Sequence, residues 1–448
     1  MSGTARPSCR SYRQLSVGSN RVHKFIGVAT RTGRNPTRRA TVVTAMQTAS
    51  QPSSGDAVHP RAVRLLFLAL DLKPEEDHAE CIHVKEVVRN MAALGHDILL
   101  LTSRESAWSS NGMGPRTSVR PTGGGPTVEE LMNVLRETKR FRPDVIYERR
   151  FLPKISAAVS MMTGVPAVVE INGLVEDEMK MLGKERRSAL PPPLREYAFS
   201  LIFRQMQRVV TVTEGLAGEM RRLYDLPLQR LVVIENAANM MLFRALDKDA
   251  CRRRLGLDPE SRWICFVGGL YPWHGVETAI RAMKLLAAGP STVRLLIVGD
   301  GPRRAALEAL ARQLAVDDRV RFAGKVPYEE VALYISACDL GIAPLTRERN
   351  TRIGSSPMKV YEYVACGRPV VVSAVAGIGD WVEREGVGSL AEPDNPQDFA
   401  DKMTKVLSDT RLLEEMPLKG PAAVARDHSW AGVAQRILTI CETVARET

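Results

Sequence analysis

Short apolar runs alternate with longer amphipathic segments along most of the chain from residue 64 onward. The first example is an apolar run at 64–70, an amphipathic segment at 80–94, Gly95, and a second apolar run at 97–101. A short apolar run is typical of a strand that is buried on both faces, and the apolar positions of 80–94 follow helical spacing. The pattern therefore predicts a βαβ unit with a parallel sheet.

The alternation continues in two series that are separated near residues 245–261. In the first we predict helices near 128–140, 154–163 and 194–207, and strands at 144–147, 167–171, 209–212 and 231–234. In the second we predict helices near 276–288, 303–314, 328–337 and 358–366, and strands at 263–267, 294–298, 340–343 and 370–373. The Ser-, Gly- and Pro-rich stretch 103–127 is predicted to be a loop. Two parallel sheets predict two facing Rossmann-like α/β domains, at 62–245 and 261–428, with a ligand-binding cleft between them.

The first 55 residues differ in composition from the rest. They contain nine Lys or Arg and no Asp or Glu, so residues 56–448 carry only about +2 of the whole-chain charge of +11. The basic pI therefore gives no reason to expect nucleic-acid binding. A basic, Ser-rich leader without an apolar core is typical of an organellar transit peptide, not of a secretory signal. A plastid or mitochondrial transit peptide and a disordered extension of a cytoplasmic protein both stay open.

Deleting residues 1–55 is expected to leave folding and activity intact, because the pattern that specifies the sheets begins only at residue 64. Thermal unfolding and turnover of the truncated and full-length proteins test this expectation. A truncated protein that fails to fold would contradict the assignment of 1–55 as a leader.

Cysteine and apolar patterns exclude several classes of protein. None of the seven cysteines forms a C-x-x-C pair, and no Cys/His cluster has zinc spacing. Cys265, Cys338 and Cys366 lie in or beside apolar runs, which predicts buried, reduced thiols. No run of 18 apolar residues occurs, so no membrane-spanning helix is expected. The segment 194–207 combines helical apolar spacing with three arginines; a core-facing helix is favoured, and a peripheral membrane contact stays open.

The segment GSSPMKVYEY has the features of a helix start that binds an anion. Ser356 suits the N-cap, and Pro357 suits the first helical position. The free amides and the positive end of the helix dipole would face a phosphate, and Lys359 would add a charge. Glu362 lies about 7.5 Å from the helix end at 1.5 Å per residue, within reach of an attached ribose. An ordinary capped helix with a surface ion pair is the alternative.

Two Gly-rich turns each follow a predicted strand. The first, VGGLYPWHG, contains Gly268, Gly269 and His274; its amides can bind a phosphate, and His274 could donate to a phosphate oxygen. The second, GDGP at 299–302, lacks the third glycine of a dinucleotide fingerprint because Arg304 takes its place. A structural histidine is the alternative for His274.

These motifs, in this order, resemble glycosyltransferase family 4, whose members are retaining GT-B enzymes. The specific part is VGGLYPWHG, LLIVGDGP, VRFAGKVPYEEVALYISACDLGIAPL and SSPMKVYEYVACGRPVVVS. The stretches DVIYERR, VPAVVEINGLVEDE, VVTVTEGLAGEM and VVIENAANMMLF agree more loosely. The resemblance covers residues 64–445. It implies an acceptor domain followed by a donor domain, a closing helix at 429–445 that returns to the first domain, and an interdomain-loop asparagine at Asn236.

The resemblance implies how the donor sugar and ribose are held. Glu362 matches the family's ribose-binding glutamate, the second of its E-x7-E pair. The first glutamate of that pair falls at Gly354 here. Relatives with the Ser-Ser-Pro variant also lack it, and the amides of Ser355 and Ser356 are then expected to contact the sugar.

The resemblance also implies how the diphosphate and nucleobase are held. The family often has Arg and Lys on the diphosphate, at positions that are Gly269 and His274 here, so two cationic contacts are lost or weakened. Lys359 is expected to compensate. Lys325 and Val326 match the turn that contacts the nucleobase through its backbone.

In the first domain, Asn172 stands where many relatives carry a histidine near the donor sugar. Asn172, Lys359 and Glu362 are therefore the candidate catalytic residues. Glu176 and Glu178 follow the same strand and are candidate substrate contacts, with solvated carboxylates as the alternative.

The reaction implied by the resemblance moves a sugar from a nucleoside-diphosphate sugar to an acceptor hydroxyl with retention. No cofactor or metal ion is expected, because cationic side chains and a helix dipole stabilise the departing diphosphate. His78 and His83 lie at the loop that opens acceptor sites in this family, with a structural role as the alternative. The sequence does not indicate the sugar, the nucleobase or the acceptor, which is a lipid, a saccharide or a small molecule.

Three other functions stay open at this point. The changes at Gly354, Gly269 and His274 suit a non-catalytic relative that binds nucleotide sugars. Repeated Rossmann-like turns suit an NAD-dependent oxidoreductase, although the incomplete glycine pattern argues against it. A nucleotide-sugar epimerase would use the same kind of fold.

Overall fold

The computed structural model of the chain describes residues 62–72, 78–103, 108, 113–123, 127–183, 191–287 and 292–447. The leader assigned to 1–55 lies outside these residues. Residues from Pro60 to Thr448 form one unit.

Seven parallel strands form the first sheet: β1 Arg64–Ala69, β2 Asp97–Thr102, β3 Thr117–Pro121, β4 Val145–Arg149, β5 Ala167–Ile171, β6 Arg208–Thr211 and β7 Leu231–Val233. Their order across the sheet is β3-β2-β1-β4-β5-β6-β7. Leu66 in the central strand β1 lies opposite Leu99 of β2 and Ile146 of β4. Alternate residues of β1 belong to the apolar cores on the two faces of the sheet, so both faces are buried.

The described helices of the first half are α1 Ala79–Ala93, α2 Thr127–Phe141, α3 Lys154–Thr163, α4 Val175–Met181, α5 Pro192–Phe203 and α6 Glu214–Tyr224. Thr213 caps α6, because its side chain accepts a hydrogen bond from the Leu216 amide. Gly164 ends α3 in the left-handed conformation that glycine adopts without strain.

Six parallel strands form the second sheet: β8 Arg262–Val267, β9 Val293–Val298, β10 Val320–Gly324, β11 Leu340–Ala343, β12 Val370–Ser373 and β13 Gly388–Ala391. Their order across the sheet is β10-β9-β8-β11-β12-β13. The strand order reverses between β8 and β11, which is the switch point where such sheets bind ligands.

The described helices of the second half are α7 Lys248–Leu255, α8 Val276–Leu286, α9 Arg304–Gln313, α10 Val331–Ser336, α11 Arg347–Ile353, α12 Met358–Ala365, α13 Ile378–Glu385, α14 Pro396–Ser408, α15 Thr410–Asp427 and α16 Trp430–Glu447. The last of them, α16, returns to the first sheet. Its apolar residues Ile437 and Cys441 share a buried core with Val84 and Val88 of α1.

The predicted α/β fold with two Rossmann-like parallel sheets is confirmed, but some elements were not predicted. The stretch 103–127 contains β3, so the loop prediction is wrong for residues 117–121. Strands β10 and β13 were also missed, as were helices α4, α6, α7, α11, α13, α14 and α15. All three strands lie at sheet edges, where polar residues and glycine replace the continuous apolar run of a central strand.

Helix α5 is only partly core-facing. Phe199 and Phe203 pack into the core below the first sheet. Leu194, Tyr197 and Leu201 form a second stripe, which is exposed. The prediction of a core-facing helix is therefore wrong for this stripe, because helical spacing does not tell which of two apolar faces is covered. A peripheral membrane contact stays a prediction.

The structure agrees with two exclusions made from the sequence. Six cysteines lie within the described residues, and all six are buried free thiols, including Cys265, Cys338 and Cys366. Among the described helices, none combines the length and the apolar character that crossing a membrane requires.

Candidate active site

A cavity of about 780 Å³ opens between the two sheets, at the carboxyl ends of both sets of strands. Its first wall includes Leu72, Arg149 and Asn172, which lie at or after the ends of β1, β4 and β5. Its second wall includes Gly268, Gly299 and Lys325, which follow β8, β9 and β10. This placement follows from the parallel topology, in which loops at the carboxyl ends bind ligands. The volume is typical of a site for a small molecule.

The start of helix α12 lines the cavity. The helix begins at Met358 with Pro357 as its N-cap, and no side chain caps it. The prediction that Ser356 is the N-cap is therefore wrong by one residue. The Ser356 hydroxyl instead accepts a hydrogen bond from the Asn236 amide at 2.9 Å. The Val360 amide donates to the Pro357 carbonyl, whereas the amides of Met358 and Lys359 have no intrahelical acceptor and can bind an anion in the cavity.

A chain of polar contacts from the first domain holds Ser356, the residue before the N-cap of α12. The side-chain amide of Asn236 donates to the Ser356 carbonyl at 2.7 Å. The Asn236 side-chain oxygen lies 3.0 Å from Nδ1 of His83, and Nε2 of His83 lies 2.8 Å from Glu170. Burial alone would raise the pKa of Glu170, but its contacts with His83 and other neighbours lower that pKa to about 2. Asn236 is thus a positioning residue, and His83 supports it.

Replacing Asn236 by alanine is expected to raise the dissociation constant for a nucleoside diphosphate by about tenfold, because the side-chain hydrogen bond to the Ser356 carbonyl and the contact with His83 are lost. Titration calorimetry measures this constant. Asn239→Ala is the matched control, because Asn239 lies three residues further along the same loop and its side-chain amide donates to Glu86 instead of to the residues before α12. Equal losses in the two variants would contradict a specific role for Asn236.

Lys359 places a buried amino group in the cavity. Its side chain is buried, and its Nζ has no hydrogen-bond partner among the described residues. The ammonium lies 4.2 Å from the centre of the Phe266 ring. Burial lowers the pKa of Lys359 to about 7, and the Glu362 carboxylate opposes part of that shift. An orphan buried donor of this kind is costly for folding, which indicates that it serves a ligand.

Glu362 lines the same cavity and is 4% exposed. The Tyr328 hydroxyl donates to its Oε1 at 3.2 Å. Burial raises the pKa of Glu362 to about 7, although the Tyr328 hydrogen bond and the charge of Lys359 act in the opposite direction. The carboxylate can therefore accept further hydrogen bonds from a polar group that enters the cavity.

The turn after β8 approaches Lys359 closely. Gly268 has φ 131°, and a Cβ at this position would lie only 2.8 Å from Lys359 Nζ, so a larger residue would displace the ammonium. Gly269 and His274 also line the cavity. Nδ1 of His274 must donate to the Gly269 carbonyl, which only accepts. Desolvation and the charge of Lys359 lower the pKa of His274, so its neutral ring presents an acceptor at Nε2. The expectation that His274 donates to a phosphate is therefore not supported.

Two residues expected near the sugar are otherwise engaged. The Ser355 amide donates to the Ala376 carbonyl at 3.0 Å, so it is not available to a sugar, and the expectation for this amide is wrong. Gly354 is not among the cavity-lining residues of the described chain. Its φ of 70° lets the chain turn between α11 and α12. Ser355 and Ser356 both line the cavity.

The remaining donor-side predictions fall on the cavity wall. Lys325 and Val326 line it after β10, and Asn172 lines it after β5. The side-chain oxygen of Asn172 is buried without a hydrogen-bond partner within the described part of the chain. A buried, unsatisfied amide oxygen can accept a hydrogen bond from a ligand hydroxyl.

On the first domain, Glu178, His78 and His83 line the cavity, whereas Glu176 is not among its described lining residues. Glu178 forms an ion pair with Arg349 at 2.6 Å, and Glu176 pairs with Arg195 at 3.1 Å. Arg349, which lies in α11, was not predicted from the sequence. Its only sequence signal is a run of arginines just before the GSSP motif.

Two family models match the chain. One is described as "Glycosyl transferase 4-like domain" and matches residues 82–237, and the other is "Glycosyl transferases group 1" and matches residues 261–409. Among the curated relatives, D-inositol 3-phosphate glycosyltransferase from Thermobispora bispora is 26% identical over 386 residues, which is 80% of this chain and 88% of the relative. The enzyme of the same name from Acidothermus cellulolyticus is 28% identical over 388 residues, with 80% and 84% covered.

Solved structures share the fold. Sucrose-phosphate synthase from Thermosynechococcus elongatus matches with a TM-score of 0.69 at 19% identity, and the match covers 86% of this chain and 100% of the synthase chain. Anabaena HepE in complex with UDP-glucose has a TM-score of 0.68 at 18% identity, with 85% and 100% covered. These matches favour glycosyl transfer over the NAD-dependent and epimerase alternatives. The chain belongs to the family 4 (group 1) glycosyltransferases and has their GT-B fold.

Proposed function

We propose that the protein transfers a sugar from a nucleoside-diphosphate sugar to an acceptor hydroxyl, with retention and without a metal ion. The observation that carries this proposal is the convergence of the uncapped start of α12, the orphan ammonium of Lys359 and the carboxylate of Glu362 on one cavity. An anion-binding helix end beside a buried hydroxyl acceptor suits a phosphate joined to a ribose. HepE, which shares the fold, has been solved with UDP-glucose, and this supports the donor class.

The donor is placed by matching each of its parts to a group on the wall. The diphosphate lies against the first amides of α12 and Lys359, and the ribose hydroxyls donate to Glu362. The nucleobase lies at the turn of Lys325 and Val326. The sugar then faces Asn172 of the first domain, whose free side-chain oxygen accepts from a sugar hydroxyl.

The transfer step breaks the bond between C1 of the sugar and the β-phosphate oxygen. A new bond forms between C1 and the acceptor oxygen on the same face, and the acceptor proton passes to an oxygen of the departing diphosphate. Charge builds up on the diphosphate in the transition state, where Lys359 and the helix amides are already in place to stabilise it. The protein supplies this stabilisation from its own groups, so a divalent cation is not needed.

A panel of UDP-glucose, UDP-galactose, UDP-N-acetylglucosamine, GDP-mannose and ADP-glucose tests the proposal with the full chain. Thermal shift identifies the donor that binds, and release of nucleoside diphosphate measures its turnover in the presence and absence of excess EDTA. We expect stabilisation by one donor class, EDTA-resistant turnover, and a product whose anomeric proton keeps the donor configuration. Binding without turnover in the presence of diverse acceptors would instead favour the non-catalytic alternative.

A further inference from the structure

Arg349 reaches across the cavity from the second domain to the first. Its Nη2 lies 2.6 Å from Oε1 of Glu178, and a Cβ on Gly173 would lie 2.6 Å from the same nitrogen. Its guanidinium carbon lies 5.8 Å from the centre of the Trp273 ring. The side chain is 10% exposed, and its Nε has no hydrogen-bond partner among the described residues. A buried guanidinium with an unused donor therefore faces the cavity that holds the proposed donor site.

The guanidinium of Arg349 lies where the second domain lacks positive charge. The family's cationic contacts to the diphosphate fall at Gly269 and His274, and neither carries a charge here. The guanidinium carbon of Arg349 lies 5.8 Å from the Trp273 ring centre, and a Cβ on Gly268 would lie 2.8 Å from Lys359 Nζ, so both side chains reach this turn. Lys359 approaches from α12, below Gly268, and Arg349 approaches from α11. The pair restores two positive charges at the turn that lacks them.

Helix α11 is itself held by the first domain. Arg352 forms ion pairs with Asp177 of α4 and Glu219 of α6, and Lys180 lies 3.8 Å from Glu348. The place of Arg349 therefore depends on how the two domains meet. A change in the angle between the two domains would therefore also move this guanidinium relative to the cavity.

We propose that Arg349 is a diphosphate-binding residue that compensates for the missing cations at Gly269 and His274. Glu178 holds the guanidinium while the site is empty, and the donor diphosphate then replaces Glu178 as its partner. A guanidinium suits this task because it can donate two parallel hydrogen bonds to phosphate oxygens. This inference rests on the proposed function and adds a catalytic residue to it.

The test compares UDP, GDP and ADP with uridine, guanosine and adenosine, by titration calorimetry on the full chain. For whichever diphosphate binds the wild type, Arg349→Met is expected to weaken binding by about 10- to 100-fold and to leave binding of the matching nucleoside unchanged. Arg349→Lys is expected to recover part of the loss. Arg347→Met is the control on the same helix, because Arg347 pairs with Glu392 away from the cavity.

The Glu178→Gln variant distinguishes two roles of Arg349: binding of the diphosphate, and a purely structural ion pair with Glu178. If Glu178 only holds Arg349 until the donor arrives, Glu178→Gln binds the diphosphate at least as tightly as the wild type. Equal losses in Arg349→Met and Glu178→Gln, for nucleoside and diphosphate alike, would show a structural link between domains and overturn the inference. An unchanged diphosphate affinity in Arg349→Met would also overturn it. A wild type that binds none of the three diphosphates would instead refute the proposed function.

Discussion

Replacing Lys359 by methionine is expected to lower kcat/KM for sugar transfer by about 10²- to 10³-fold, the usual loss when one preorganised group that stabilises developing negative charge is removed. Methionine keeps the length and apolar contacts of the stem above Phe266 but removes the ammonium. The loss should appear mainly in kcat, because the charge on the diphosphate grows as the sugar departs. Steady-state kinetics with the donor found in the panel measures this loss.

Lys284→Met is the matched control, because Lys284 is an exposed residue of α8 outside the described cavity lining. It should retain wild-type kcat/KM. A Lys359→Met variant whose kcat stays within a few-fold of the wild type would remove this lysine from the chemistry.

The Lys359→Met variant is expected to be more stable than the wild type at acidic pH. Burial lowers the pKa of Lys359 to about 7, whereas the lysine of the unfolded chain titrates above about 10. The unfolded state therefore binds more protons between these values, so the cost of burying Lys359 is complete below about pH 7 and disappears as the pH rises toward 10. Calorimetric melting should show a higher Tm for Lys359→Met near pH 6, and a smaller difference near pH 9. A variant that loses activity and stability together would indicate a structural lysine.

The sequence predicted the central strands because each is a continuous apolar run bordered by a helical segment. The edge strands β3, β10 and β13 carry exposed or small residues, and their strand conformation depends on pairing with a neighbour that the local sequence does not encode. The same limit explains the shift at the start of α12. Ser356 has the right chemistry for an N-cap, but its hydroxyl is taken by the backbone of Asn236, 120 residues away in the chain.

The site could be predicted where its residues lie on one motif, and not where they meet through the fold. Gly268, Lys359 and Glu362 belong to recognisable segments, and the structure places all three on one cavity. Arg349 has no fixed spacing to Gly269 or His274, so only the packing of α11 across the cleft brings it there. The charge deficit inferred at those two positions gives a reason to look for another cation, but no indication of where in the chain that cation lies.

Replacing Glu362 by alanine is expected to weaken nucleoside-diphosphate binding by about 1–3 kcal/mol, as when hydrogen bonds to a charged group are lost. Glu362→Gln should lose a similar amount, because the amide keeps the shape of the side chain but not its charge. Glu329→Ala is the control, since Glu329 is exposed on the turn that carries Tyr328. Unchanged calorimetric affinity in Glu362→Ala would exclude this carboxylate from the site.

The ribose contact can be tested from the ligand side as well. A 2′,3′-dideoxy nucleoside diphosphate lacks the hydroxyls assigned to Glu362, so the wild type and Glu362→Ala should bind it with equal affinity. Burial raises the pKa of Glu362 to about 7, so the carboxyl group becomes protonated as the pH falls below that value. Binding of the ribose to the carboxylate must then release this proton. Wild-type affinity for the matching nucleoside, which has no phosphate for Lys359 to bind, should then fall by up to about tenfold per pH unit below 7, and this decrease should be absent in Glu362→Gln. A decrease that persists in Glu362→Gln would assign the titration to another group and leave the ribose without its proposed acceptor.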